Sequence, residues 1–203
     1  MQNLADGAPI ALLLLLVMGI TSVAALSAMP QLLQRALLRP YRIAQHRDWH
    51  TLLSCGFIHA DYTHLLLNAL TFWSFGFALE RAIGSARFAA LYLAGLLVSS
   101  LGTVLRHRRD PDYASLGASG AILAVLFAAI VYNPQQSLFI LPIPFPIPAP
   151  LFALGYLAYT IYAGRRGTGR INHGAHLDGA ITGVLFVAIT EPEAVRSALR
   201  AFF

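Results

Sequence analysis

Residues 10–29 contain no charged side chain and are dominated by leucine and other apolar residues. Crossing about 30 Å of hydrocarbon takes roughly 20 apolar residues as a helix, so this stretch already commits the chain to a membrane. The pattern repeats. Apolar runs follow at about 62–79, 88–105, 119–133, 150–163 and 174–190, separated by short segments where the arginines collect. Composition points the same way: 57% of the residues are apolar and 11% charged, against about 25% charged in soluble domains. The sequence predicts an all-α polytopic membrane protein, a bundle of six transmembrane helices. One membrane domain over residues 1–203, with no soluble accessory domain, is expected.

The connecting segments sharpen the boundaries. Asp6, and no arginine, precedes the first run. That is the wrong flank for a secretory signal peptide, so the run is expected to remain as the first span. Residues 30–59 form a long loop with Arg35, Arg39, Arg42 and Arg47, expected in the membrane interface. Asp61 stands where it can cap the second span, and residues 81–87 are expected to form a tight connection. Asn133-Pro134 ends the fourth span. Pro142, Pro144, Pro146, Pro148 and Pro150 stand at every second position, so 141–149 is expected to be extended.

All 14 basic residues are arginine, and the formal net charge is +5. Because they flank apolar runs, their expected partners are lipid head groups and water, not nucleic acid. Cys55 is the single cysteine, which excludes an internal disulfide and a cysteine-based metal cage.

Polar residues inside a span are costly and need a reason. His64 and Asn68 open the second span on one helical face. Ser119 opens the fourth within Gly117-Ala118-Ser119-Gly120, and His176 the sixth within Gly174-Ala175-His176. Even-numbered spans cross in the same direction, so these four side chains meet on one side at similar depth. A fourth span starting at Ser119 is roughly 21 Å long. In a core about 30 Å thick, Ser119 then begins roughly 9 Å below the surface. Non-helical backbone at that depth must line a wet recess or lie buried in protein.

A hydroxyl, an imidazole and water in one recess point to nucleophilic hydrolysis. Ser119 is the candidate nucleophile and His176 the general base. The Ser119 backbone N–H, His64 and Asn68 are the candidate oxyanion donors. Gly179 and Gly183 share the face of His176 and, with Gly120 as counterpart, are expected to let helices pack closely. Asp178 points elsewhere on its helix, so the reading is a Ser–His dyad. Cys55, His59 and His173 invite a metal reading but lack a third ligand at proper spacing. No metal and no cofactor is expected.

Four stretches resemble the rhomboid family of intramembrane serine proteases. They are His59-Ala-Asp-Tyr-Thr-His64-Leu-Leu-Leu-Asn68, Leu79-Glu80-Arg81-Ala82-Ile83-Gly84-Ser85, Gly117-Ala-Ser119-Gly120 and Ala175-His176-Leu-Asp-Gly179-Ala-Ile-Thr-Gly183. The resemblance implies Ser119 as nucleophile, His176 as base, and His64, Asn68 and the Ser119 amide as the oxyanion site. It also implies transmembrane protein substrates cut near small residues, and a multi-pass place in the lipid bilayer of a bacterial inner membrane. Two positions depart from the family pattern. Trp49-His50 stands where Trp-Arg is usual, and Leu123 where many members place a tyrosine that packs on the catalytic histidine.

The rival readings are a catalytically inactive rhomboid-like protein that binds transmembrane segments, and a transporter or channel. The first needs Ser119 or His176 to be idle. The second calls for mid-span charges and paired broken helices, whereas Glu80 sits at a helix end. Orientation divides the arguments. The active-site side holds Arg35, Arg39, Arg42, Arg47, Arg106, Arg108, Arg109, Arg165, Arg166 and Arg170, against Arg81, Arg87, Arg196 and Arg200 opposite. That distribution favours a cytoplasmic recess. The resemblance implies a recess opening outward, and is the reading preferred here.

Overall fold

The computed structural model describes residues 6–140, 143–166 and 171–202, with side chains to residue 200. Arg170 and positions 141–142 of the proline segment lie outside the described residues. In order come α1 (Pro9–Ser27), α2 (Pro30–Ala36), α3 (Pro40–Ala44), α4 (Thr51–Ser54), α5 (Tyr62–Ile83), α6 (Ser85–His107) and α7 (Ser119–Tyr132). The strands β1 (Ser137–Leu138) and β2 (Ile147–Pro148) precede α8 (Ala149–Arg166), α9 (His173–Thr190) and α10 (Pro192–Phe202). The expected helices are all present, and the protein is an all-α polytopic membrane bundle. Of the long helices, α1 and α6 are apolar enough to cross a bilayer by length and composition alone.

Local chemistry sets most boundaries. Asp61 caps α5, its carboxylate accepting the His64 N–H at 2.8 Å. Beyond residue 79 the helix does not stop as expected but continues to Ile83. Gly84, at φ +82°, makes the turn alone, so the connection expected over 81–87 is one residue. Glu80 explains the extension. Its fully buried carboxylate accepts the N–H groups of Ile10 at 3.1 Å and Ala11 at 2.6 Å, and the Ser85 hydroxyl at 2.5 Å. Those oxygens satisfy the free N–H groups that open α1, and α5 must reach that far to supply them.

The alternating-proline segment leaves α7 as a short antiparallel ladder, pairing Ser137 with Pro148 and Leu138 with Ile147. A two-stranded ladder has only edges, where proline is tolerated. The amphipathic α10 was not foreseen in the sequence.

The interior is organised around α7, in which Gly120 to Ala128 and Ile130 are all buried. Small residues set its spacing from α9. A Cβ added at Gly179 would overlap the Gly120 carbonyl, and one at Gly183 the Ala124 carbonyl. The outside is apolar too: Leu16 and Ile20 of α1, Leu66 and Leu70 of α5, and Leu185 and Ile189 of α9 are exposed. Such a surface is stable only against lipid. Helix α8 is attached more loosely, with only Ala149 and Thr160 buried.

Candidate active site

The loop entering α7 is pinned from three directions. Leu38 and Ser115 exchange backbone hydrogen bonds at 3.0 Å, and the Gly117 N–H donates to the Cys55 carbonyl at 2.8 Å. The Ala118 N–H donates to His59 Nε2 at 3.4 Å. Gly117 adopts φ +118°, and a Cβ there would run into the His64 imidazole. No other residue meets both conditions. The pinned loop delivers Ser119 as the first residue of α7, where its backbone N–H has no carbonyl one turn earlier in the helix to take it.

His59 does more than its place in the sequence suggested. It is fully buried, and Nε2, accepting from Ala118, leaves Nδ1 to carry the proton. Nδ1 lies 2.9 Å from the Ser22 hydroxyl, whose own proton can go to the Phe57 carbonyl at 3.3 Å. Burial, reinforced by neighbouring His64 and opposed by Asp61, pushes the His59 pKa down to about 3. The ring is a neutral bracket between α1 and the serine loop.

His176 is placed by the start of α9. Asn172 caps that helix, its Oδ1 accepting the Ala175 N–H at 3.0 Å. Its Nδ2 donates to the Thr103 hydroxyl at 2.9 Å and to the Ser115 hydroxyl at 3.3 Å. Asp178, which points away from His176, takes both arms of Arg106 from α6, at 3.1 and 2.5 Å. So held, His176 Nε2 lies 2.9 Å from Ser119 Oγ. Its other nitrogen, Nδ1, lies 2.9 Å from the Tyr156 hydroxyl of α8. The two rings are stacked, 6.5 Å apart and inclined by 20°. Leu123, standing where many relatives of this pattern carry tyrosine, packs instead in the α7–α8–α9 cluster that includes Tyr156.

The remaining candidates lie around the same recess, a cavity of about 1340 Å³ lined by His64, Asn68, Ser119, His173 and His176 among others. His64 lies against Gly117, in the loop that leads to Ser119. Asn68 is nearly buried, and its Nδ2 donates to the His64 carbonyl at 2.9 Å. One of its two N–H donors is therefore engaged within α5, which leaves the other available. Gly120, Gly179 and Gly183 are brought together as α7–α9 contacts.

The residues of the metal reading diverge. Cys55 faces the Ser100 hydroxyl at 3.6 Å, burial lifting its thiol to about 11, while His59 turns to Ser22 and Ala118. His173 sits on the cavity wall with its ring 6.2 Å from that of His176. His50, where arginine is usual, holds the first loop through the Arg35 carbonyl at 3.2 Å.

A serine hydroxyl on an imidazole nitrogen, beside a free helix-start N–H in an open cavity, can attack a carbonyl and hold the charge that forms. A Rhomboid domain matches residues 46–193. The chain belongs to the rhomboid family. It is 30% identical over 157 residues to Rhomboid protein 1, mitochondrial, of Saccharomyces cerevisiae, covering 73% of this chain and 45% of that protein. RHOMBOID-like protein 12, mitochondrial, of Arabidopsis thaliana is 32% identical over 146 residues, 64% of this chain and 43% of the relative. Rhomboid protease GluP of Bacillus subtilis is 39% identical over 83 residues, 41% of this chain and 16% of the relative. The chain thus spans less than half the length of these curated relatives. As a rhomboid it is an integral, multi-pass membrane protein.

Two features of the site escaped sequence reasoning. Tyr156 carries no spacing signal, because α8 presents Tyr156, Tyr159 and Tyr162 alike. Asn172 was findable: an asparagine just ahead of an apolar helical run is a capping signal.

Proposed function

We propose that this rhomboid is an intramembrane serine endopeptidase that hydrolyses peptide bonds in or near transmembrane segments of membrane proteins. The observation that carries the reading is the 2.9 Å contact between His176 Nε2 and Ser119 Oγ on the wall of a cavity open to water. Ser119 Oγ attacks the scissile carbonyl carbon as its proton passes to His176 Nε2. The oxygen becomes an oxyanion, held by the Ser119 N–H and the side chains of His64 and Asn68. Collapse breaks the C–N bond, and the leaving amine takes the proton from His176. Water, deprotonated by His176, then hydrolyses the acyl-enzyme and frees Ser119.

Six of the helices, α1 and α5 to α9, serve as the spans, forming one membrane domain that needs neither metal nor cofactor. Its partners are transmembrane protein substrates and the lipid bilayer, and its proposed location is a bacterial inner membrane. The match to a rhomboid protease of Bacillus subtilis supports the activity.

The test is cleavage of a transmembrane substrate by purified protein in detergent, together with labelling by a serine-reactive fluorophosphonate. Ser119→Ala and His176→Ala are each expected to abolish cleavage and labelling while leaving thermal unfolding in place. Turnover by either variant overturns the dyad. A folded wild-type protein that neither labels nor cleaves favours the inactive, segment-binding reading.

A further inference from the structure

Between its apolar runs this chain is charged almost everywhere. Residues 30–59 carry four arginines, 81–87 two, 106–112 three and 165–172 three. The link from α7 to α8 carries none, and no Asp, Glu, Lys or Arg occurs anywhere from 113 to 164. That link also stands apart from the recess. Ser119 and His176 lie in the first turns of α7 and α9, so the end of α7 and the start of α8 belong to the opposite end of the bundle.

There β1 and β2 form their ladder. One side of it is seated, with Leu138 buried among Leu126, Phe127 and Ile130 of α7. The other side is bare: Phe139 is 78% exposed and Phe145 61%. The backbone next to those rings is poor in donors. The Ala149 N–H donates inward to the Gln136 carbonyl at 2.9 Å, and the Ile143 N–H to the Ile140 carbonyl at 2.7 Å. Ile147 pairs with Leu138 in the ladder. The positions between, 144, 146 and 148, are proline, which has no N–H to satisfy. Pro148, between two residues that turn to β1, leaves the outer edge of β2 without a donor.

A cover for this edge must be apolar, to suit the two rings, and must ask for no hydrogen bond. Water meets neither condition. A strand from a second chain would need donors, and proline on an edge deters it. Hydrocarbon meets both, because a bare N–H is what lipid tolerates least.

We propose that the β1–β2 ladder is a membrane anchor, lying in the lipid interface at the end of the bundle away from the recess, with Phe139 and Phe145 among the acyl chains. The anchor joins α8 directly, since the residue it bonds, Ala149, opens that helix. Of the rest of α8 only Thr160 is buried, so its start is the part tied down.

Full-length protein with Cys55→Ser, which removes the single, buried cysteine, accepts a nitroxide label at Phe139→Cys or Phe145→Cys in vesicles of phosphatidylcholine and phosphatidylglycerol. Oxygen, concentrated among acyl chains, and a water-soluble nickel chelate compete to relax the label, and their ratio reads its depth. Both labels are expected roughly 5–10 Å into the boundary between head groups and chains, the depth of interfacial apolar side chains. A label at Asp112→Cys, in a charged loop, is expected in water. Labels at 139 and 145 that meet nickel as freely as the one at 112 overturn the proposal. So does spin–spin broadening, which would mark a second copy as the cover.

Phe145→Asp, with the label kept at position 139, is expected to raise that label toward water. An unchanged depth would mean that the two rings do not insert together, and overturns the shared anchor. Hydroxyl-radical footprinting of the unsubstituted protein in the same vesicles needs no label. Phe139 and Phe145 are expected to resist oxidation, and modification of both overturns the proposal even where the labelled variants fail to fold.

Discussion

Helices α9 and α8 both border α7, and they do so in opposite ways. Across α7 and α9, Gly179 and Gly183 bring backbone against backbone, leaving no room for a Cβ. Across α7 and α8, long side chains such as Phe152 and Tyr156 fill the gap, and most of α8 is exposed. Ser119 and His176 sit on the first pair. Tyr156, whose hydroxyl meets His176 Nδ1, sits on the second. Such a division sets atoms that meet within a hydrogen-bond length on rigid neighbours, while the α8 wall of the cavity is held by adaptable packing. Loosely packed elements are those that open at least cost.

Glycine-to-alanine substitution breaks this comparison if it is wrong, and the largest effect is expected from it. Gly179→Ala places a methyl group against the Gly120 carbonyl. It should cost roughly 3 kcal/mol or more, since overpacking against backbone cannot be relieved by a rotamer change. Gly155, on the exposed side of α8, has nothing within 4 Å of its would-be Cβ. There the same change should stabilise by roughly 0.5–1 kcal/mol, the helical preference for alanine over glycine. Thermal unfolding of the two variants in one detergent decides the matter. Equal shifts of the same sign would mean that α8 and α9 are held alike.

Asn68→Ala comes next in size and bears on the rigid side. With the Ser119 N–H and His64 also available, loss of Asn68 is expected to reduce kcat about 10- to 1,000-fold. The substitution also removes the Asn68–His64 bond within α5, so the unfolding midpoint should be read alongside. A loss as complete as that of Ser119→Ala would give Asn68 a larger role than a shared donor.

The same contrast explains what could be read without coordinates. Spans follow from hydropathy, which is local, and the shortness of the fourth helix follows from the turn signal at Asn133-Pro134. The meeting of Ser119 with His176 needs only the alternation of helix direction. What stayed hidden depends on contacts between distant segments. Helix α5 overruns its expected end because Glu80 must reach the start of α1, seventy positions earlier in sequence and 3.1 Å away at Ile10. Tyr156 is one of three tyrosines on α8, and only the rotation of that helix selects it. His59 looked like half of a metal site because Cys55 lies one turn before it. The intervening 3-10 turn and extended residue send the two side chains to different partners.

The smallest expected effect is a pH dependence that belongs to the rigid side alone. In the unfolded chain the His59 ring takes a proton near its ordinary pKa of 6.5, while in the folded protein it stays neutral down to about 3. The unfolded state therefore binds more protons across that interval, so stability must rise with pH within it. The contribution is complete above pH 6.5 and drains away as the solution is acidified toward pH 3. Between pH 6.5 and 5 it amounts to roughly 1–2 kcal/mol. His59→Gln, which can still accept from Ala118 and donate to Ser22, carries no titrating group. It should be less stable than the wild type at pH 7.5, yet lose less of its stability on acidification. Melting curves of both proteins from pH 7.5 to 4.5 test this. Parallel curves would show that the bracket between α1 and the serine loop does not titrate as its burial dictates. Convergence toward low pH would show that the rigid half of the site, unlike α8, is held in part by a histidine that must remain uncharged.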